Sequence, residues 1–441
     1  MTDIGLQQAN AIAAAGRGAA SETAGPVINI ASRQRRRQPR DDLPGWLEGA
    51  PRDEMQRLVP NVATALHALR RAPDLRDAFA YDQMALTPLL TRALPAGDGA
   101  PEPGDTYPRE LRDTDVTRLQ EFLQWNGLPK ISAETLHQAI GLRAREKAFH
   151  PVRDYVESLK WDCTPRLGAW LHRYLGAEAG DYATAIGRMF LVAMVARAFQ
   201  PGCKADYVLV LEAPQGAGKS SACRVLAGEQ WFTDNLPPID SKDASHHLRG
   251  KWLIEIAELS ATRKADTEAL KAFISRQEEQ YRPAYGRATV VEPRQCVFIG
   301  TTNESAYLRD ETGARRFWPL KVGAIDLAGL QRDRDQLFAE AMTLYRSGAK
   351  WWPDATFERK HIAGEQEARF ETDVWQDAIA GYVEDKPRVR IMDIAKEALN
   401  FETSARVGTA DQRRIGRVLT HLGWWQPPGK RSAQRFYVPR G

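Results

Sequence analysis

The chain has 441 residues and carries 61 Lys and Arg against 57 Asp and Glu, a net charge of only +4. That length predicts about two to four domains and a sizeable buried core, and the near-neutral balance excludes a polycation along the whole chain. No apolar run approaches the roughly 18 residues of a membrane span, and the longest, around Met189 to Ala198, is interrupted by Arg197 and reads as a buried helix. No charged-then-apolar leader pattern opens the chain. The four cysteines (Cys163, Cys203, Cys223, Cys296) are scattered without a C-x-x-C pair, which argues against a zinc site or disulfide framework and for a reducing bacterial cytoplasm.

Residues 1–43 are rich in Ala, Gly, Gln and Arg, with Arg33, Arg35, Arg36, Arg37 and Arg40 close together, and are expected to form a disordered basic tail. Over 44–110, apolar residues recur at helical spacing (Leu58, Val62, Leu66, Leu69) until the Pro/Gly/Asp-rich stretch from Pro95 to Pro108. Residues 111–200 read as a further helical domain, with Val116, Leu119, Phe122 and Leu123 on one face.

From 201 to 325 the pattern changes. Strand-like runs (Tyr207–Leu211, Trp252–Ile256, Gln295–Gly300, Arg316–Leu320) alternate with helical ones, the signature of an α/β sheet with crossover helices. The first run feeds Pro214-Gln215-Gly216-Ala217-Gly218-Lys219-Ser220-Ser221. A Gly-rich turn after a strand and before a helix presents bare N–H groups to a triphosphate, a Lys to its β/γ-phosphates and a hydroxyl to Mg²⁺. ATP and Mg²⁺ are therefore the expected ligands. One departure stands out: Ala213 occupies the place of the motif's first glycine.

Hydrolysis also needs a carboxylate, a polar group near the γ-phosphate and a cation for the transition state. Lys251 to Leu259 is strand-like and offers two acids three residues apart, which a continuous strand points to opposite faces. Glu258, where the strand should stop, is expected to be the catalytic, metal-side carboxylate; Glu255 is a second candidate, for Mg²⁺ or for an ion pair. Thr302 or Asn303, ending the next strand, can orient water. Arg315 and Arg316 are candidates for an arginine finger reaching a neighbouring subunit, with one of the pair tying down the local fold.

Residues 280–291 read as a hairpin presenting Arg282, Tyr285 and Arg287, cations interleaved with an aromatic as single-strand contact requires. Helices are expected again over 326–370. The final segment, 371–441, reads as helix, basic helix and basic strand pair, a winged-helix-like module with Arg413, Arg414 and Arg417 as DNA contacts. From Gln412 onward there are seven Lys or Arg and no acid, which points to a polyanion.

Several blocks occur in order: H-P-V-R-D-Y (150–155), L-K-W-D (159–162), P-G-C-K-A-D-Y (201–207), E-A-P-Q-G-A-G-K-S-S, K-W-L-I-E-I-A-E-L-S, K-A-F-I-S-R-Q, Y-R-P-A-Y-G-R, F-I-G-T-T-N-E and T-G-A-R-R-F-W-P. Through them the chain, over about 110–320, resembles the virulence-associated E family of phage and mobile-element proteins, related to superfamily 3 helicases. The resemblance implies an AAA+-like P-loop core, a homo-oligomeric ring, expected as a hexamer, with ATP between subunits, and translocation on DNA in prophage replication. It implies Lys219 and Ser220 on phosphate and Mg²⁺, Glu258 as the acid, Asn303 as the sensor, Arg315 or Arg316 as the finger in trans, and Arg282 and Arg287 facing single-stranded DNA. The expected activity is that of an ATP-dependent DNA helicase. The alternatives are an ATP-switched origin-binding or loader protein that recruits host replication proteins without unwinding, and a degenerate ATPase.

Overall fold

Asn61 starts the first helix by accepting a hydrogen bond from the Thr64 amide at 3.0 Å, which satisfies one of the donors every helix start leaves open. The computed structural model describes residues 43–95, 105–239, 241–259, 264–282, 289–308, 314–370, 373–403, 406–427 and 436–440. The expected tail, 1–43, lies outside these but for Leu43.

Helix α1 (Val62–Arg71) is followed by the antiparallel strands β1 (Phe79–Asp82) and β2 (Thr87–Leu90), then β3 (Arg109–Glu110), α2 (Asp113–Trp125), α3 (Ala133–Glu146) and β4 (Ala148–Phe149). The sheet order is β3-β2-β1-β4. Leu69, Leu75, Phe79, Leu119, Leu123, Leu136 and Ile140 are buried in one core beneath it. The 44–110 and 111–200 segments expected from the pattern are thus not separate packing units. α2 and α3 complete the first core, whereas α4 (Pro151–Ser158), α5 (Trp170–Leu175) and α6 (Asp181–Phe199) join the central one. By length and composition α6 could cross a membrane, more than the sequence run indicated. Here it is a core helix, with Ile186, Phe190, Leu191, Met194 and Val195 buried.

The central layer is a parallel sheet built from β5 (Val208–Glu212), β6 (Phe232–Thr233), β7 (Leu253–Ile256), β10 (Val297–Thr302) and β11 (Phe317–Lys321), in the order β11-β5-β10-β7-β6. Between them run α7 (Lys219–Ala227), α8 (Lys242–His247), α9 (Lys264–Ile274) and the hairpin strands β8 (Glu278–Tyr281) and β9 (Val290–Pro293). The four long strands fall within two residues of the runs expected from sequence. Their near-continuous apolar character follows from burial on both faces. Leu209, Leu211, Leu253 and Ile299 meet α6, α7 and α10 (Leu327–Arg346) on one face. Val208, Val210, Ile254, Ile256 and Phe298 meet α9 on the other.

Helix α10 also closes the rear of α7. Arg334 donates from Nε to the Leu226 carbonyl (2.9 Å) and from a terminal nitrogen to that of Ala227 (2.8 Å), and lies over the Tyr155 ring. A buried guanidinium on the last carbonyls of a helix satisfies groups that no backbone donor reaches and complements the helix dipole. After α11 (Ala355–Phe357) and α12 (Ala363–Glu367), the C-terminal module has its own core, formed by α13 (Gln376–Val383), α14 (Ile391–Glu397), α15 (Thr409–His421), β12 (Trp424–Trp425) and β13 (Val438–Pro439). Val389 bridges Tyr437 and adds a third short strand position.

The first layer is tied to the central sheet by side-chain amides. His150 accepts the Arg153 N–H on Nδ1 (3.2 Å) and bonds the Gln295 Oε1 through Nε2 (2.6 Å), while the Gln295 amide donates to the Gln83 carbonyl (2.8 Å). Burial lowers the His150 pKa below its ordinary 6.5.

Two outcomes follow. Arg334→Met strands two helix-end carbonyls and is expected to destabilise the central unit by about 3 kcal/mol, read as a lower chemical-denaturation midpoint. For His150 the lowered folded-state pKa means that the unfolded chain takes the proton first. The residue costs nothing above pH 6.5 and destabilises as the pH falls below it. The thermal midpoint should drop more between pH 7.5 and 5.5 in the parent chain than in His150→Asn.

Candidate functional site

Parallel sheets open their ligand crevice at the carboxyl ends of the strands. At that edge β5 stops at Glu212, and the loop Ala213–Gly218 leads into α7. Gly216 and Gly218 have φ of 81° and 87°, a left-handed backbone that any Cβ would strain, although space around both is open. This pair of turns aims the start of α7, whose first N–H groups no side chain caps, into the hollow of the loop. Ala213 has a negative φ, so alanine is tolerated where the motif has glycine. Its carbonyl accepts the Lys219 ammonium at 2.6 Å, and that of Pro214 accepts it at 3.1 Å. Partial burial lowers the Lys219 pKa from the usual lysine value, with the Glu255 charge opposing the shift. Ser221 is exposed on the first turn.

The carboxylate that meets this loop is Glu255, not Glu258. Glu255 is 1% exposed and accepts the Ser220 hydroxyl on Oε1 at 2.7 Å. The same Oε1 accepts the Thr301 hydroxyl at 2.6 Å, and Oε2 is buried without a partner. Strand register explains the choice. Glu255 pairs with Ile299, which pairs with Leu209, so all three side chains share the face against α7. The strand does end between the two acids, at Ile256, and Glu258 follows in a turn at φ 50°, exposed to solvent. It stands at the same edge of the sheet but outside the Ser220 contact. Thr301 went unread in the sequence; the signal available was its place two residues beyond the partner of Glu255.

Asn303 is exposed directly after β10, again at the carboxyl edge, whereas Thr302 is buried and its hydroxyl accepts the Glu304 N–H. Beside the loop, Glu212 accepts the Tyr307 hydroxyl (2.9 Å) and the Arg369 guanidinium (3.0 Å), an arrangement not anticipated from sequence. Arg315 and Arg316 differ in their surroundings. Arg316 donates to the Ser275 hydroxyl at 2.8 Å, and Arg315 is exposed. Both precede β11, whose Phe317 is in register with Val208 at the start of β5. They therefore lie at the opposite edge from the loop, roughly 16 Å away along five strand residues.

The β8–β9 hairpin is rooted at that same far edge, where Pro293 lies close to Gly202. Its base is fixed by Arg294 on Glu279 (2.5 Å), by Ser245 on the same carboxylate and by Arg249 on Glu292 (3.0 Å). Arg282 is exposed where the described part of the hairpin ends; Tyr285 and Arg287 lie outside the described residues.

In the C-terminal module Arg413 and Arg417 are exposed together on α15. Arg414 is not available as they are. Its guanidinium donates to Asp373 (2.8 and 2.9 Å) and stacks 3.9 Å from the Trp375 ring, because one residue along a helix turns the side chain by about 100°. The expected DNA contact at Arg414 is corrected to a tie within the module.

Residues 156–372, just under half of the chain, match the model of the virulence-associated protein E-like domain. No curated protein matches the chain. Among solved structures, the apo structure of the NrS-1 C terminal region (305-718) is similar at 13% identity and a TM-score of 0.46, covering 82% of this chain and 95% of that one. The A form apo structure of the same region gives 14% identity and a TM-score of 0.40, over 65% and 78%. These likenesses are too distant to carry a role for any residue.

The division on α15 is testable. Replacing Arg413 and Arg417 with Ala together should leave the melting curve unshifted, because both side chains are exposed. Arg414→Ala should instead lower the melting temperature of the module, measured by circular dichroism.

Proposed function

With residues 156–372 forming a virulence-associated protein E-like domain, we propose that this chain is an ATP-hydrolysing ring protein that moves on DNA during replication of a phage or related mobile element. The observation that carries the reading is the Ser220–Glu255 hydrogen bond at the foot of a loop held open by two left-handed glycines. The sheet order, with β10 between the loop strand and the acid strand, supports an AAA+-like P-loop core.

In this reading the N–H groups from Gly216 to Ser220 and the start of α7 receive the phosphates. Lys219 exchanges the Ala213 and Pro214 carbonyls for β/γ-phosphate oxygens. The residues fit Mg²⁺: a hydroxyl and a carboxylate are hard oxygen donors, and the orphaned Oε2 of Glu255 is a buried acceptor in need of a positive partner. Ser220 and Glu255 would hold Mg²⁺, which would supply charge neutralisation for the phosphates. Glu258 and Asn303, exposed at the same edge, activate and orient the attacking water.

Arg315 lies roughly 16 Å along the strands from its own loop, which speaks against a role in cis. The same separation suits a guanidinium that completes the pocket of the next subunit, so the protein acts as a homo-oligomer, a hexameric ring by family resemblance. The hairpin with Arg282, Tyr285 and Arg287 faces single-stranded DNA in the ring, and the winged-helix-like module binds duplex through Arg413 and Arg417. The site of action is the bacterial cytoplasm, beside host replication proteins.

Three measurements test this. The parent chain should show Mg²⁺-dependent, DNA-stimulated ATP hydrolysis and displace a strand from a forked duplex. Hydrolysis without displacement would favour the origin-binding or loader reading. Lys219→Ala and Arg315→Ala should each lose turnover, the latter by about a thousandfold or more, and mixing the two inactive variants should restore part of it. Unchanged turnover in Lys219→Ala rejects the pocket, and no recovery on mixing rejects the shared site.

A further inference from the structure

The acid under the loop is held by two hydroxyls, and only one of them belongs to the phosphate-binding motif. Thr301 lies on β10, between the loop strand and the acid strand, and pairs with Leu211. Because alternate residues share a face, Thr301 stands on the same side as Ile299 and therefore as Glu255, one step nearer the carboxyl edge. Its side chain is 5% exposed and donates to Glu255 Oε1 at 2.6 Å. Ser220 donates to that same oxygen. Both donors on one oxygen leave Oε2 unpaired, and the Lys219 and Arg224 charges act on the carboxylate.

We infer that Thr301 is a positioning residue: its hydroxyl fixes the rotamer of Glu255 so that Oε2 faces the metal, independently of what Ser220 does. The inference rests on the proposed ATP site. A carboxylate buried to this degree has a large desolvation cost to offset, and a neutral donor does so without competing for the metal. When Ser220 turns its oxygen toward Mg²⁺, Thr301 remains the fixed donor that keeps the acid aligned. A hydrogen bond that orients a metal-binding carboxylate from behind is typically worth about ten- to a hundredfold in metal affinity or activity. Valine matches threonine in shape and removes only the donor, which isolates the hydroxyl from the packing around it.

The test is the Mg²⁺ dependence of nucleotide binding by the full chain. A fluorescent, non-hydrolysable ATP analogue is titrated in EDTA and at increasing Mg²⁺. Thr301→Val should raise the Mg²⁺ concentration for half-maximal tightening by about tenfold. Affinity in EDTA should stay close to the parent, while the melting temperature should fall by a few degrees, as the loss of a hydrogen bond to a buried carboxylate requires. Thr301→Ser should restore the parent curve, which a loss of packing would not do. Under turnover, Thr301→Val should lower kcat at limiting Mg²⁺ and recover at saturating Mg²⁺. A parent-like Mg²⁺ curve in Thr301→Val overturns the inference while leaving the ATP site intact. A parent chain that binds the analogue with no Mg²⁺ effect removes both.

Discussion

A single buried carboxylate organises the centre of this molecule. Glu255 lies under the glycine-rich loop, and its charge has no access to bulk water. A buried acid without partners is among the costliest groups a protein can carry. Here it draws the Ser220 hydroxyl from the first turn of α7 and the Thr301 hydroxyl from β10. The two contacts join α7, β7 and β10 at one point, and the arrangement depends on β10 lying between β7 and β5, the strand that feeds α7.

The surrounding packing keeps that point rigid. α7 is held at both ends by different means: its front opens into the loop, and its rear is closed by Arg334 from α10. The end of β5 is fixed from the other face by Glu212, which gathers Tyr307 and Arg369. Arg369 also accepts the Tyr307 and Leu308 amides on its carbonyl, so the chain leaving for the C-terminal module runs alongside the loop that follows Asn303. The sheet thereby acquires two distinct edges. Its carboxyl edge gathers Lys219, Ser220, Glu255, Glu258 and Asn303. Its amino edge carries Arg315 and the root of the β8–β9 hairpin.

Much of the central unit was legible because its signals are local. The loop needs glycine where φ is positive, and Gly216 and Gly218 stand there. The parallel strands read as apolar runs because both faces are covered. The first layer was harder to read. β1 and β2 have four residues each, Pro88 interrupts the second, and β4 joins them only in space. Helical periodicity in α1 therefore dominated the segment, and the sheet went unseen. α6 also extends beyond the apolar run from Met189 to Ala198, because its first two turns mix polar residues (Asp181, Thr184, Arg188) with apolar ones.

The sequence by itself determined the chemistry available: a glycine-rich turn, a lysine and hydroxyl after it, acids and arginines at strand ends, and cations in the last segment. Only the tertiary structure decided which of these meet. Glu255 rather than Glu258 reaches Ser220 because facing depends on alignment with two neighbouring strands distant in sequence. Arg413 and Arg417 remain outward while Arg414 turns to Asp373, because a partner 41 residues away claims it. Spacing along a chain fixes the direction of a side chain relative to its own element; what lies in that direction is set by contacts between elements, which no local pattern encodes.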